Sequence, residues 1–364
     1  MKSLSLLTMG ILLSANAYAG DIRINGFATV AAGMLTKDDG YAADATYDSM
    51  TDELSFKDLS VFGLQFNADM GEGLSAVAQL VSRGTKDFKP ELEWAYVSYD
   101  FTEALNFKVG RLRLPTYFYS EYLDVSYTYP WLTPPIEVYA ALITSYDGFS
   151  MLYSSSLGPV DYSLQVGYGS SELNIPSLGD VAADFDLLVN FDFSYDIWST
   201  KLVYMNAKTS ISSAGLNGLQ ALFPDLPNTI VGDEVPDQIY GVASYLDFGT
   251  VYMGVEYTYI GFEDTHFVLN NDNRFMATTG YRFSDFTLHY SYSTSIKSND
   301  KGMLDPLRPG YAAISDGNDV TTHTVGLRWD FHPSAAFKID GGTTEDVITN
   351  TEADFVRAGM TVVF

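Results

Sequence analysis

The chain ends Asp354–Phe364 (DFVRAGMTVVF), and the fold is read outward from these residues. Val356, Ala358, Met360, Val362 and Phe364 share one face of an extended strand, and Arg357, Gly359 and Thr361 share the other. Phe355 and Val363 break the alternation. A period of two is the signature of a β-strand with one apolar face. A last strand of this kind leaves a bare edge unless something pairs with it. Ile22–Met34, rich in small residues, is the expected partner, and that pairing closes a sheet into a barrel.

The same period runs upstream. Phe62, Leu64 and Phe66 alternate with Gly63, Gln65 and Asn67. Tyr162, Leu164, Val166 and Tyr168 alternate with Asp161, Ser163, Gln165 and Gly167. Leu187, Val189, Phe191 and Phe193 do so with Asp186, Asn190, Asp192 and Ser194, and Val325, Leu327, Trp329 and Phe331 with Thr324, Gly326, Arg328 and Asp330. Runs of roughly 9–12 residues exceed the five or six usual in soluble sheets and match the length a tilted strand needs to cross a bilayer. Tight connections such as Asp69–Gly73, Leu157–Val160 and Ser284-Asp285 alternate with long polar ones: Leu35–Ser55, Gly84–Pro90, Leu114–Ser145, Ser170–Asp184, Thr209–Pro236, Glu263–Asn273, Ser298–Val320 and Glu345–Ala353. The expectation is all-β: an antiparallel transmembrane barrel of about 16 strands, with tight turns on one side and long loops on the other.

The N-terminus fits export. Lys2 is followed by the apolar run Leu4–Leu13 and by Ala17-Tyr18-Ala19, the pattern of a cleaved signal peptide. Residues 1–19 are read as that signal and 20–364 as one barrel domain. Without cysteine there is neither a disulfide framework nor thiolate chemistry. A net charge of −26 argues against nucleic acid and against docking on anionic lipid. A soluble, exported acidic β-protein is the rival that solubility without detergent would favour.

Leu114–Ser145, the third long loop, has an unusual composition. It holds six tyrosines, Phe118, Trp131 and four prolines, carries Glu121, Asp124 and Glu137, and has no Lys or Arg. So aromatic a segment is expected to pack against something. Basic residues fall on the polar face of several strands: Arg83, Arg282, Arg328, Lys338 and Arg357. Lipid exposure costs Lys or Arg about 2–4 kcal/mol at the midplane, so these point into the lumen. Arg111 and Arg113 share parity with Leu105, Phe107 and Val109, and placing them in the lumen requires a bulge at Gly110. Such a wall opposite an acidic loop would set up a transverse field that sorts ions by sign. Alternatively, the wall bases pair with neighbours such as Glu93, Glu256 or Asp330 and only hold the barrel together.

A terminal Phe preceded by aliphatic residues at alternate positions resembles the last strand of Gram-negative outer-membrane proteins. The resemblance implies that Met360, Val362 and Phe364 are read by the barrel-assembly machinery. In loop count and in the position and acidity of its third loop, the chain resembles the general porins, and Val109-Gly110-Arg111 looks like the Gly-Arg element ending their fifth strand. That likeness implies a third loop folded into the pore, with Tyr117, Tyr119, Glu121, Asp124, Tyr127, Trp131 and Glu137 at the constriction. It implies passive diffusion of ions and small hydrophilic solutes across the outer membrane, with lipid and lipopolysaccharide around the barrel. A homotrimer is the family pattern, which the short second loop Gly84–Pro90 supports poorly. Trp131 and Pro134-Pro135 do not follow from the resemblance. The alternative is a substrate-specific channel, with the loop's tyrosines and Trp131 as a stacking slide for sugars.

No catalytic role is expected. His266, His289, His323 and His332 belong to no H-E-x-x-H motif, and no G-x-S-x-G elbow occurs. No cofactor or metal is expected: Asp316-Gly317-Asn318-Asp319 could bind Ca²⁺ through oxygen ligands, but a solvated acidic turn is the preferred reading.

Overall fold

The computed structural model describes residues 21–39, 50–140, 143–175, 179–212, 234–262, 271–298, 319–348 and 350–364. The expected signal peptide and most of the Asp316–Asp319 turn lie outside these residues.

Sixteen antiparallel strands form one closed barrel. They are β1 (Ile22–Asp38), β2 (Val61–Gly71), β3 (Leu74–Arg83), β4 (Pro90–Asp100), β5 (Leu105–Arg113), β6 (Ser145–Leu157), β7 (Val160–Ile175), β8 (Gly179–Tyr195), β9 (Trp198–Ser212), β10 (Val235–Asp247), β11 (Val251–Phe262), β12 (Asn271–Phe283), β13 (Phe286–Ser298), β14 (Asp319–His332), β15 (Ala335–Asp346) and β16 (Thr351–Val363). Each pairs with its sequence neighbours, and β16 pairs with β1. No helix among the described residues is long and apolar enough to cross a membrane.

The closing seam runs from Phe27↔Val363 to Asp38↔Ala353, with one irregularity between Leu35 and Lys37. Beyond it, Gly26 and Phe364 exchange both backbone hydrogen bonds, at 2.7 and 2.9 Å. The Phe364 ring lies over Gly26, where a Cβ would come within 2.3 Å of it. Met360 and Phe364 are exposed on the outer face, whereas Arg357 and Thr361 are buried on the inner one. The expected parity of the last strand is therefore the observed one.

Glycine also makes room for rings inside the barrel. Tyr245 and Gly254 are direct cross-strand partners, as are Tyr252 and Gly280. A Cβ at either glycine would meet the facing ring at 2.2 Å. Large aromatic residues can thus lie flat on the wall.

Two loops are shorter than expected. Pairing of β7 with β8 continues to Ile175↔Gly179, and β15 pairs with β16 as far as Asp346↔Thr351. The Ser170–Asp184 and Glu345–Ala353 loops are therefore mostly strand. Backbone ladders need no lipid, so strands outrun the bilayer, and out there the apolar alternation lapses. A register shift between Phe185 and Leu187 also exchanges the faces of β8. Phe185 is buried inside, whereas Leu187 is exposed outside.

Candidate functional site

The third loop folds into the barrel. Its stems are joined where Leu114 N–H donates to the Thr144 carbonyl at 2.9 Å. Leu112 and Leu114 then pack with Tyr146, Phe185, Leu188 and Met205. These inward positions on β8 and β9 are apolar because the loop stems cover them. Proline breaks the loop into single turns, Ser120–Tyr122, Ser126–Thr128 and Ile136–Tyr139, so many of its carbonyls lack partners within the loop.

The wall supplies those partners. Lys338 of β15 is fully buried and donates to the carbonyls of Ser126, Tyr129 (2.7 Å) and Trp131 (2.6 Å). Arg328 of β14 donates to the carbonyls of Tyr127 and Tyr129, at 2.7 and 3.0 Å, and to Asp330. Arg357 of β16 reaches the Thr133 carbonyl and the Asp340 carboxylate, both at 3.3 Å. Asp340 in turn accepts from Leu132 N–H at 2.8 Å. Arg83 of β3 forks onto Asp124 with two 2.8 Å bonds and also meets Glu93. Arg113 bonds Glu93 and donates to the Ser120 carbonyl at 2.7 Å. Arg274 of β12 holds Tyr117 and the carbonyls of Val138 and Ala140. Sequence reading passed over Arg274, although it shares parity with Arg282 on the same strand.

Two basic residues stand apart. Arg282 faces the lumen near the short-turn end, where it pairs with Asp247 at 2.6 Å and lies over the Tyr252 ring. Arg111 is on the outside. Gly110 takes a φ of +132°, yet β5 keeps an unbroken register with both neighbours, so no bulge resets its faces. Val109 and its partner Phe149 are exposed outward, and Arg111 two residues on pairs with its own partner Asp147 at 2.7 Å. The lumenal placement of Arg111 is thereby corrected. Arg113 turns inward because it is the last residue of the strand, and its side chain is only 7% exposed.

The loop's aromatic residues are mostly spent on packing. Trp131 is fully buried, with its Nε1–H donating to Ser291 of β13 at 2.6 Å. Tyr117, Tyr129 and Tyr139 are buried with it. Phe118 stacks on Tyr245 of β10 with ring centres 4.2 Å apart. Tyr119 is enclosed among Tyr129, Trp131, Tyr139 and Tyr245. Enclosed rings offer no face to a passing solute, so Trp131 is not part of a stacking slide.

The acids divide in the same way. Glu137 is buried and accepts from Ser293 of β13 and Thr322 of β14. Burial raises its carboxyl above the ordinary range, and the two hydroxyls only partly oppose this. Burial also works to raise Asp124, but the Arg83 and Arg113 guanidiniums outweigh it and hold the carboxyl low. Glu121 alone of the three is exposed, and beside it Tyr122 is 50% exposed. The Tyr122 phenol is pushed up by burial and then by the negative charges of Glu121 and Asp192, the latter on β8.

The inner wall from β5 to β8 carries amides and hydroxyls, with one leucine among them. Asn106, Leu152, Gln165 and Asn190 are successive cross-strand partners from β5 to β8. Gln165 donates to Ser150 at 3.1 Å, and Asn106 donates to Ser98 at 2.7 Å. Gln79 donates to Gln65 further round, at 3.1 Å. Among the described residues no cluster of side chains fits a metal ion.

No family model matches the chain, and no curated protein does. Solved structures do. OmpT of Vibrio cholerae in a trimer form superposes with a TM-score of 0.59 at 11% identity, covering 95% of this chain and all of that one. The outer membrane channel DcaP of Acinetobacter baumannii gives 0.60 at 11% identity, over 94% and 97% of the two chains. OmpF of Salmonella typhi, solved with daunomycin, gives 0.60 at 14% identity, over 95% and 98%. At such identities the likeness is one of fold, and the fold is that of a porin-like outer-membrane barrel.

Proposed function

We propose that the protein is an outer-membrane porin through which ions and small hydrophilic solutes diffuse passively, and that it does no catalysis. The observation that carries this reading is the third loop held inside a closed sixteen-stranded barrel by hydrogen bonds to its inner wall. Sixteen strands leave an aqueous channel, and a loop lying across it sets the size limit. The N-terminal pattern and the Phe364 strand support export, assembly by the barrel-assembly machinery, and residence among lipid and lipopolysaccharide. A homotrimer is consistent with the trimer form of one structural neighbour.

The pairing of the wall bases bears on selectivity. Arg83, Arg113, Arg328, Lys338 and Arg357 are engaged with carboxylates or loop carbonyls, whereas Glu121 is exposed. We therefore propose a preference for small cations at low salt that fades as salt screens it. Reversal potentials in a planar bilayer under a salt gradient test this, and anion selectivity would refute it. The substrate-specific alternative keeps one foothold, the half-exposed Tyr122.

A further inference from the structure

Strand β4 carries one residue more than β3 can pair. Leu92 faces Leu80 and Trp94 faces Gln79, so Glu93 stands between them with no residue opposite it. Leu80 and Leu92 are exposed on the outside, whereas Gln79 and Glu93 are buried inside. The bulge therefore lets Glu93 and Trp94 point inward in succession. A regular ladder would place only one of the two there.

The added carboxylate meets the third loop at both of its ends. Pairing of β4 with β5 stops at Ala95↔Arg111, so Arg113, where the loop leaves β5, has no residue of β4 opposite it. Glu93 Oε1 accepts from the Arg113 guanidinium and, at 3.0 Å, from the hydroxyl of Thr144, where the loop returns to β6. Glu93 Oε2 accepts from Arg83 at 2.6 Å. The two arginines extend this hold into the loop. Arg113 donates to the Ser120 carbonyl at 2.7 Å, and Arg83 forks onto Asp124 with two 2.8 Å bonds. The side chains of Glu93, Arg113 and Asp124 are only 5, 7 and 12% exposed, so water competes little for these bonds. One carboxylate thus ties the loop's exit, its return and its 120–124 turn to a single point of the wall.

Resting on the channel function above, we infer that Glu93 is the positioning residue that fixes how far the third loop stands across the lumen, and so the size limit for solutes. Glu91 supplies the contrast. It lies on the same strand and meets Arg83 at 3.3 Å, but it is regularly paired with Val81, is 40% exposed and bonds neither Arg113 nor Thr144. Taking Glu93 away leaves the Arg83 and Arg113 guanidiniums buried with too little negative charge around them. They turn toward water and carry the 120–124 turn with them.

The test uses neutral sugars, so that the lost charge does not itself bear on entry. The ratio of raffinose to arabinose influx is measured in proteoliposomes carrying the full chain, together with single-channel conductance. Folding of each barrel is checked by its mobility on an unheated gel. Deleting Glu93 leaves Leu92 outside and Trp94 inside in regular alternation, so the sheet can still close. That deletion and Glu93→Ala are each expected to raise the conductance and to bring raffinose influx toward that of arabinose, whereas Glu91→Ala changes neither. Parental values in a folded barrel of either Glu93 variant overturn the inference and leave Glu93 a residue of the wall alone. An equal rise in Glu91→Ala overturns it too, because any carboxylate lost beside Arg83 would then suffice. If neither Glu93 variant folds, Glu93→Gln, which keeps the shape of the side chain, decides by the same two readings. Entry of neither sugar through the folded parent would instead refute the channel function.

Discussion

The Tyr127 hydroxyl donates to the Pro333 carbonyl at 2.8 Å. Pro333 lies in the tight turn between β14 and β15, whereas the loop carrying Tyr127 leaves β5 at the opposite end of the barrel. The third loop therefore runs the depth of the lumen. It does so because the inner wall offers donors to its carbonyls along the way.

Lys338 is the densest of these anchors. Lys338→Met keeps most of the side-chain volume but leaves the carbonyls of Ser126, Tyr129 and Trp131 without their donor. Each unsatisfied buried group costs about 1–3 kcal/mol. The loop should loosen, seen as larger and noisier single-channel currents and faster proteolysis within residues 117–139.

Trp131 fills a closed site and bonds Ser291. Trp131→Ala should cost about 3–5 kcal/mol by removing a large buried ring. The temperature at which the folded band converts to the unfolded one on a gel should fall. An unchanged conversion temperature would mean that the ring is not enclosed.

Two loop carboxyls should respond to pH in opposite directions. Asp124 is held below its ordinary 3.8 by its arginines. A depressed carboxyl stabilises the folded state above 3.8, and the contribution is lost as pH falls through the lower folded value. Asp124→Asn should thus be less stable than the parent at neutral pH and converge with it in strong acid. Glu137 is raised above its ordinary 4.5. Its favourable contribution is present below 4.5 and lost as pH rises through the folded value. Glu137→Gln should gain on the parent as pH climbs toward neutrality. Thermal conversion measured across pH checks both.

Arg111 and Asp147 pair on the outer face. Replacing both with leucine should leave conductance and reversal potential unchanged. A shift in either would return Arg111 to the lumen.

Much of this was legible in the chain itself. Period-two alternation fixed the strands, and the loop pattern fixed the two ends. The final strand's parity and its Ile22–Met34 partner follow from one face being apolar. The lumen was harder to read. Alternation reports a polar inner face only where water fills the barrel, and the third loop covers Leu188 and Met205 instead. Arg111 misled because its charge suggested water inside, whereas register set its face and Asp147 opposite supplied a partner. Trp131 announced packing correctly, but no spacing rule says that its partner is Ser291, 160 residues away.

Single-channel conductance of the full chain in a planar bilayer, set beside that of a variant lacking residues 117–139, tests the central claim most directly. Discrete, ohmic steps are expected from the full chain, with markedly larger steps from the variant. Equal steps from two folded barrels, or no steps from a folded full-length barrel, would contradict a water-filled pore narrowed by its third loop.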